Sequence, residues 1–503
     1  MQRLRKSLTV WTIWVVLAMV AVVAPAPRVQ AQGSPPEVVC VPASALNPAV
    51  AHDTWSGRQI ALKGTAHDPE GDGTLATYEW DFGDGSPVEA GTVSDPYAIE
   101  ARHIYVGSIG DLFVATLTVT DEDGNSGSDQ YLIKIGDGTA LTIRVNVAID
   151  EGLWRLHKDL VRGDLGGTAY GYWPFGSNSV AATGASTEAF EVHGSLPSGD
   201  AGEDPYVETV QRGLNYLLSK IHSYPISQDP TYCPVGDPDV NGNGIGLVAH
   251  SDEDSFHTMY ESGIALMALG SSRCGSCVAA TGIAEVVGRS YADIAQDMID
   301  YFAYGQTDPQ FGPYRGGWRY YGNFNHSDNS VSQWPVIGME SAEVNLGLTV
   351  PQFVRDELTQ WIDYIQNDVD GDGMDGGSGY SEPWEWVNVA KTGGLLCEMK
   401  FVGDTTASTR AQDAVDFIDR LWNDDWEHFP ANNYYAFYSV MKGFRLMGIQ
   451  TIDPLNDPSG FDWYADPADG YAEYIVSGQD ADGAWYGGYW SNYPLQSAWA
   501  ILT

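Results

Sequence analysis

Between residues 49 and 135 the chain alternates apolar and polar positions in short runs, at 60–62, 76–80, 114–120 and 131–135, parted by Gly, Asp and Pro turns. Period two puts successive side chains on opposite faces of a strand, so this stretch predicts a small β-sandwich. Past residue 140 the period lengthens. Residues 474–503 set the new pattern: the apolar pair Tyr474 and Ile475, then Gln479, then Gly483 and Trp485, then an apolar helical run from Tyr493. That order predicts an outer helix, a glycine-turned loop carrying a buried aromatic, and an inner helix.

The unit recurs upstream. Trp361, Ile362 and Gln366 lead to Gly377, Gly379 and Tyr380, and Tyr301, Phe302 and Gln306 lead to Gly316, Gly317 and Trp318. Weaker copies hold Phe417, Ile418 and Trp422, then Tyr216, Leu217 and Ile221, then Leu153 and Leu156 with Gly171, Tyr172 and Trp173. Anchored on Leu156, Leu217, Phe302, Ile362, Ile418 and Ile475, the spacings are 61, 85, 60, 56 and 57 residues. Six helix pairs are implied, the second enlarged, because one pair cannot bury its apolar face without neighbours. Inner helices are expected at 179–193, 254–269, 329–344, 384–401, 432–447 and 493–503, with a strand-like run at 141–147 ahead of the first outer helix. Gly194, Gly270, Gly403 and Gly448 are expected as left-handed C-caps, and Gly184, Gly263, Gly393 and Gly394 as points of close helix approach.

The aromatic-aliphatic-x-x-x-Gln to Gly-x-Trp order resembles the QW repeat of the terpene cyclase and prenyltransferase superfamily. Over about residues 140–503 the resemblance implies an all-α (α/α)6 toroid. Trp80-Asp81-Phe82-Gly83-Asp84-Gly85 is similar to the WDFGDG motif of PKD domains, and His103-Ile104-Tyr105 and 117–121 fall where that family has its HxY and final-strand segments. This second resemblance implies an immunoglobulin-like spacer or adhesion unit of exported proteins. The expected fold is therefore multidomain: a signal peptide at 1–31, a linker at 32–43, a PKD-like β-sandwich at 44–138 and the toroid at 139–503.

Arg3, Arg5 and Lys6 before an apolar run at 8–23, with Val29-Gln30-Ala31 as cleavage site, are laid out as a secretory signal peptide. A retained anchor is the alternative, and the mature chain is expected not to span a membrane. Losing four basic residues and no acid with that segment would take the net charge from −42 to −46. Nucleic acid and anionic membranes, which require a basic face, are excluded as partners, and cations are favoured. In an exported protein Cys233 is expected to pair with Cys274 or Cys277 across the enlarged second unit. A redox or metal role for Cys274-Gly-Ser-Cys277 is the competing reading, and Cys397 reads as a buried thiol.

Calcium is the expected cofactor. Asp368, Asp370 and Asp372 alternate before Gly373 like the start of an EF-hand loop, with Asp375 or Glu382 to complete the shell. Asp237, Asp239 and Asn241 form a second, weaker copy. A solvated acidic turn is the other reading of each.

For catalysis the sharpest stretch is Asp252-Glu253-Asp254-Ser255. By resemblance to class II terpene cyclases, whose DxDD motif opens an inner helix, Asp254 would stand where the alkene-protonating acid stands, although Ser255 replaces the fourth residue. The plainer reading is a helix cap. Asp254, His257 and Glu261 are expected on one helix face as an acid-base or metal site. The zinc ligands of protein prenyltransferases and the complement-type thioester motif are not found.

The remaining candidates form an aromatic, acidic mouth. Trp384 and Trp386 flank Glu385 as a platform for a sugar, with His326, Trp334 and Tyr434 among the ligand-binding candidates. The sequence thus favours an exported or cell-surface protein binding a glycan or an extracellular protein. The alternative is an enzyme, either a divergent terpene-type cyclase or a polysaccharide lyase or hydrolase using paired acids among Asp254, Glu261, Glu340 and Glu385. A cavity plugged by side chains would favour binding over cyclisation.

Overall fold

The computed structural model describes residues 33–47, 49–369, 371–422, 433–452, 460–487 and 493–503. Its N-terminal part is a sandwich. Strands β1 (Glu37–Cys40), β3 (Gln59–His67) and β6 (Ile99–Ile104) form one sheet in the order β1-β3-β6. Strands β2 (His52–Thr54), β4 (Leu75–Asp81), β5 (Glu89–Thr92), β7 (Leu112–Asp121) and β8 (Ser126–Ile135) form the other, ordered β2-β8-β7-β4-β5. Only the β2–β8 pair among these is parallel. Part of the stretch expected as linker is therefore a strand: Glu37 to Cys40 pair with His67 to Gly64. At four residues β1 is too short for its alternation to register in the sequence.

The WDFGDG stretch is a turn locked from both sides. Trp80 and Phe82 are buried, as period two requires. Gly83 has φ 71, and a Cβ there would lie 2.1 Å from the Val114 carbonyl oxygen, so only glycine fits. His103 stacks on Phe82 at 4.0 Å and bonds Asp84 at 2.8 Å. Against burial, the bonds from Ser86 and His103 hold the Asp84 carboxyl down at about 2.

Beyond the sandwich the described residues are largely helical. Outer helices α1 (Leu141–Asp159), α3 (Pro205–Ser219), α5 (Tyr291–Gly305), α7 (Gln352–Ile365), α9 (Thr409–Arg420) and α11 (Tyr471–Ser477) alternate with inner helices. The inner set is α2 (Ser179–Val192), α4 (Thr258–Ser271), α6 (Asn329–Leu346), α8 (Val389–Val402), α10 (Tyr434–Met447) and α12 (Tyr493–Leu502). Each inner helix touches the next, and α12 returns to α2, so the six form a closed ring. Small residues set its spacing: a Cβ on Gly263 would lie 2.5 Å from the Trp334 backbone, and one on Gly393 2.6 Å from Ser439.

Several boundaries differ from expectation. Residues 141–147 are helical in spite of their β-branched side chains, because Val147, Ala148, Glu151 and Gly152 continue one buried helical face. Helix α4 starts at Thr258 rather than 254, and α8 at Val389 rather than 384. Gly194, Gly403 and Gly448 do take left-handed backbone, joined by Gly347. Gly270 does not: it lies inside α4, where Ser341 of α6 packs on it. The disulfide joins Cys274 to Cys277. Cys233 keeps a buried thiol turned toward the carbonyls of Gly236 and Ala303, away from both. Cys397 is likewise a buried thiol.

The repeat's polar residues are brackets. The indoles of Trp173, Trp318 and Trp485 donate to the carbonyls of Leu156, Phe302 and Ile475, which belong to three of the anchor residues, at 2.9, 2.9 and 2.7 Å. Gln306, Gln366 and Gln479 each donate once within their own loop, to Gly316, Gly376 and Gly483. Each donates again to the next outer helix, at Val354, Arg410 and Ala148. In the weaker fifth unit Trp422 donates instead to Asp469.

Helix α1 also carries the sandwich. Lys63 of β3, buried, pairs with Asp150, which His52 also approaches at 3.2 Å. Glu151 accepts from the Ala61 N–H at 3.1 Å, and Trp154 and Lys158 both donate to Glu100 at 2.7 and 2.6 Å.

Candidate functional site

The loops leading into α4, α6 and α8 are stitched edge to edge. Met259 N–H donates to the Tyr320 carbonyl at 2.7 Å, and Asn329 N–H to the Tyr380 carbonyl at 2.8 Å. Along this rim Phe256 and Tyr320 lie 4.8 Å apart, the Tyr320 and Tyr380 hydroxyls share a 2.7 Å hydrogen bond, and Tyr380 lies 5.4 Å from Trp386. The result is a continuous aromatic strip.

Its last third is an open groove of about 620 Å³, within the size range of ligand sites. Trp384 and Trp386 stand 64% and 72% exposed on its wall. Asp328 caps α6 through the Ser330 and Val331 N–H groups. Its burial lifts the carboxyl to about 6, opposed by the Ser330 hydroxyl and by Arg319 at 3.5 Å. Arg319 itself lies over the rings of Tyr320, Phe324 and Tyr380 and donates to Ser381. His326 stacks on Tyr314 at 3.6 Å, and burial holds its imidazole below the usual value. Glu382 accepts from the Tyr314 hydroxyl at 2.5 Å and from Tyr364. Among the described residues the Glu385 carboxylate receives only a long 3.4 Å contact from the Ser381 N–H.

Tyr320, Asn323 and Trp386 have φ of 22, 57 and 47, three of the five non-glycine residues with positive φ among those described. A left-handed backbone costs an ordinary residue roughly 1–2 kcal/mol, and such strain gathers where a site needs a side chain aimed. An exposed tryptophan held there is aimed at solvent or at a ligand.

Of the ligand-binding candidates, His326, Trp384, Glu385 and Trp386 come together in this groove. Trp334 and Tyr434 do not. Trp334 fills the ring axis against Tyr435, Tyr438 and Trp499, with centroids 5.9, 6.3 and 6.2 Å away. Tyr434 is buried near Phe437. Arg319 and Glu382 belong to the groove and lay outside the sequence candidates for it. The run Ser381-Glu382-Pro383-Trp384-Glu385-Trp386 pairs each exposed tryptophan with an acid, a signal that covers Glu382 but not Arg319.

Of the catalytic candidates, Asp254 and His257 come together, while Asp252 and Glu261 turn to other partners. Asp252 forms an exposed ion pair with Lys220 at 2.5 Å. Asp254 precedes α4, accepting from the N–H groups of Phe256 and His257 and from the His257 imidazole at 2.9, 3.2 and 2.6 Å. Those bonds outweigh burial and hold its carboxyl below the usual range, the wrong state for a proton donor to carbon. Glu261 is buried, accepting from the Ser251 N–H and hydroxyl at 2.6 and 3.0 Å, and burial raises it to about 7. The three do not share a helix face, because only Glu261 lies in α4. Glu340 sits far along α6, near Lys442, away from the rim.

In the second acidic loop Asp239 is the main acceptor of backbone N–H groups. It accepts from the N–H groups of Gly242, Asn243 and Gly244, while Asp237 accepts from Asp239 N–H. Asn241 and Asn243 both donate to Asp297. Gly242 and Gly244 are left-handed, and so are Gly371 and Gly373 in the other loop. There Asp372 accepts from Met374 N–H at 2.7 Å, no shared contact joins Asp368 and Asp375, and Asp370 lies outside the described residues. Among the described residues no three His, Cys, Asp or Glu side chains converge as metal ligands.

Residues 47–135 match the PKD domain family, whose members are usually extracellular. No curated protein matches the chain. One solved structure, described as the structural basis for the promiscuous specificity of carbohydrate-binding modules from the beta-sandwich superfamily, is similar at 25% identity. The likeness covers 22% of this chain and 37% of that one, with a TM-score of 0.17. No helix among the described residues is long and apolar enough to cross a membrane, and residues 1–32, with the expected signal peptide, lie outside them.

Proposed function

We propose that this is an exported glycan-binding protein whose ligand lies in the rim groove between Arg319 and Trp386. The observation that carries the reading is the pair of exposed tryptophans beside Glu382 and Glu385. Pyranose C–H faces stack on indole rings, carboxylates accept sugar hydroxyls, and the strip continuing through Tyr380 and Tyr320 to Phe256 offers room for further residues of a chain. The helical region is read as a QW-type α/α toroid. The repeated indole-to-carbonyl and glutamine brackets support that, and the aromatic filling of its axis favours binding over cyclisation.

The test is retention on a panel of immobilised polysaccharides. Trp384→Ala and Trp386→Ala should each abolish retention while leaving Tm within a degree or so of the parent, since both side chains are largely exposed. Unchanged retention in the double variant would overturn the groove as the site, and a parent chain retained on no polysaccharide would end the glycan reading and leave an extracellular protein as the ligand.

Calcium at the loops beginning Asp237 and Asp368 is a separate proposal, supported by the shared left-handed glycines. Chelator should lower Tm, and Asp372→Ala should reduce that sensitivity. Identical melting in chelator and in excess calcium would reject it.

A further inference from the structure

The charge around the groove narrows the class of glycan, an inference that rests on the glycan reading. Arg319 and His326 are the basic side chains lining the groove; Arg319 is matched by buried Asp328 and covered by three aromatic rings, and His326 is stacked on Tyr314. Glu382 and Glu385 have no ion-pair partner among the described residues. Glu382 accepts from two tyrosine hydroxyls, neither of which brings a positive charge. The groove therefore presents two uncompensated carboxylates beside two aromatic faces, on a chain of net charge −42.

Glycans divide by charge into neutral, acidic and amino-bearing polymers. Uronates and sulfated sugars meet repulsion here from both the groove and the field of the whole chain. Neutral sugars gain the stacking and leave the carboxylates to water. A glycosyl ammonium gains three things at once: stacking of its ring, a charge-assisted hydrogen bond to a carboxylate, and attraction of its cation to indole faces. Long-range attraction by the acidic chain adds to its rate of encounter.

We propose that the groove binds amino sugars with a free, protonated amine, with Glu385 as the carboxylate that selects the charge and Trp384 and Trp386 as the stacking surface. The acidic end of the strip at Asp254, whose carboxylate is tied to His257, would face a further unit of the same polymer.

The test compares four probes by calorimetry on the whole mature chain in mildly acidic buffer: oligomers of glucosamine, N-acetylglucosamine, glucose and galacturonate. The glucosamine oligomer should bind about tenfold more tightly than its N-acetylated counterpart at low salt, a ratio that a pair of exposed charge contacts supplies. Added salt should shrink the difference. Glu385→Gln should lower the ratio of amino to N-acetyl binding, and Trp386→Ala should remove binding of the glucosamine oligomer. Equal binding of the two hexosamine oligomers overturns the amino-sugar inference and leaves the glycan reading standing. Binding of none of the four sinks both. A lysine peptide that binds as tightly as the glucosamine oligomer, and is indifferent to Trp386→Ala, would show that charge alone attracts ligands and would also overturn the proposal.

Discussion

At the scale of single residues, Trp386 and Gln366 are opposite cases. Trp386 pays a backbone cost to stand exposed, so Trp386→Gly, which suits φ 47 and gives up little buried surface, should leave Tm unchanged or raised while removing ligand retention. A fall of several degrees would mean that the tryptophan serves the fold. Gln366 has the reverse role. Its amide donates to Gly376 at 2.9 Å and to Arg410 at 2.8 Å, so Gln366→Ala strands two partly buried carbonyls and should cost about 1–3 kcal/mol in chemical denaturation. A cost near zero would leave the bracket without energetic weight.

The sequence made the brackets readable because four of the six units place a glutamine or tryptophan four residues after the apolar anchor. It made the groove only partly readable. Trp384 and Trp386 stood out because the repeat has no use for them, but burial decides the rest, and no local pattern separates Trp334 on the ring axis from Trp384 in solvent. Arg319 was illegible for a related reason: its partners Asp328, Tyr380 and Ser381 come from other stretches of chain.

At the scale of elements, α1 joins the sandwich to the helical ring. Its β-branched start reads locally as a strand, yet it forms a helix because one side docks on the sandwich and the other on α11 and α12. Asp150 is the polar centre of that docking. Although burial opposes it, Lys63 and His52 hold the Asp150 carboxyl well below the usual range. A carboxyl depressed in the folded state stabilises above its unfolded value of about 3.9 and loses that contribution as pH falls below it. Lys63→Ala should therefore cost about 3 kcal/mol at neutral pH, because it leaves a carboxylate without its buried cation, and the penalty should shrink below about pH 4. A constant penalty across that range would assign the loss to packing alone.

At the scale of the molecule the carboxyls set the pH at which the chain is most stable. Burial raises Glu261 and Asp300 to about 7 and Asp308 and Asp328 to about 6. Their unfolded values lie near 4. Between those limits the folded chain holds protons that the unfolded chain has released, so stability falls as pH rises through the window. On the acid side, Asp84 and Asp150, both depressed, remove stability below about pH 4. Tm measured in chelator should therefore peak near pH 4–5 and decline toward neutrality, and a Tm that climbs from pH 5 to 7 would contradict the assignment.

The bond from Gln479 to Ala148 spans 331 residues. A ring that shuts on its first helix through Gln479 cannot close until that residue has been made. Until residues near 479 emerge, α1 is held on one side by the sandwich and waits open on the other, so the slowest contact to form is the one that closes the circle. Once shut, it brings distant parts of the chain side by side, and a cut in an exposed rim loop would leave both flanks tethered through the rest of the circle.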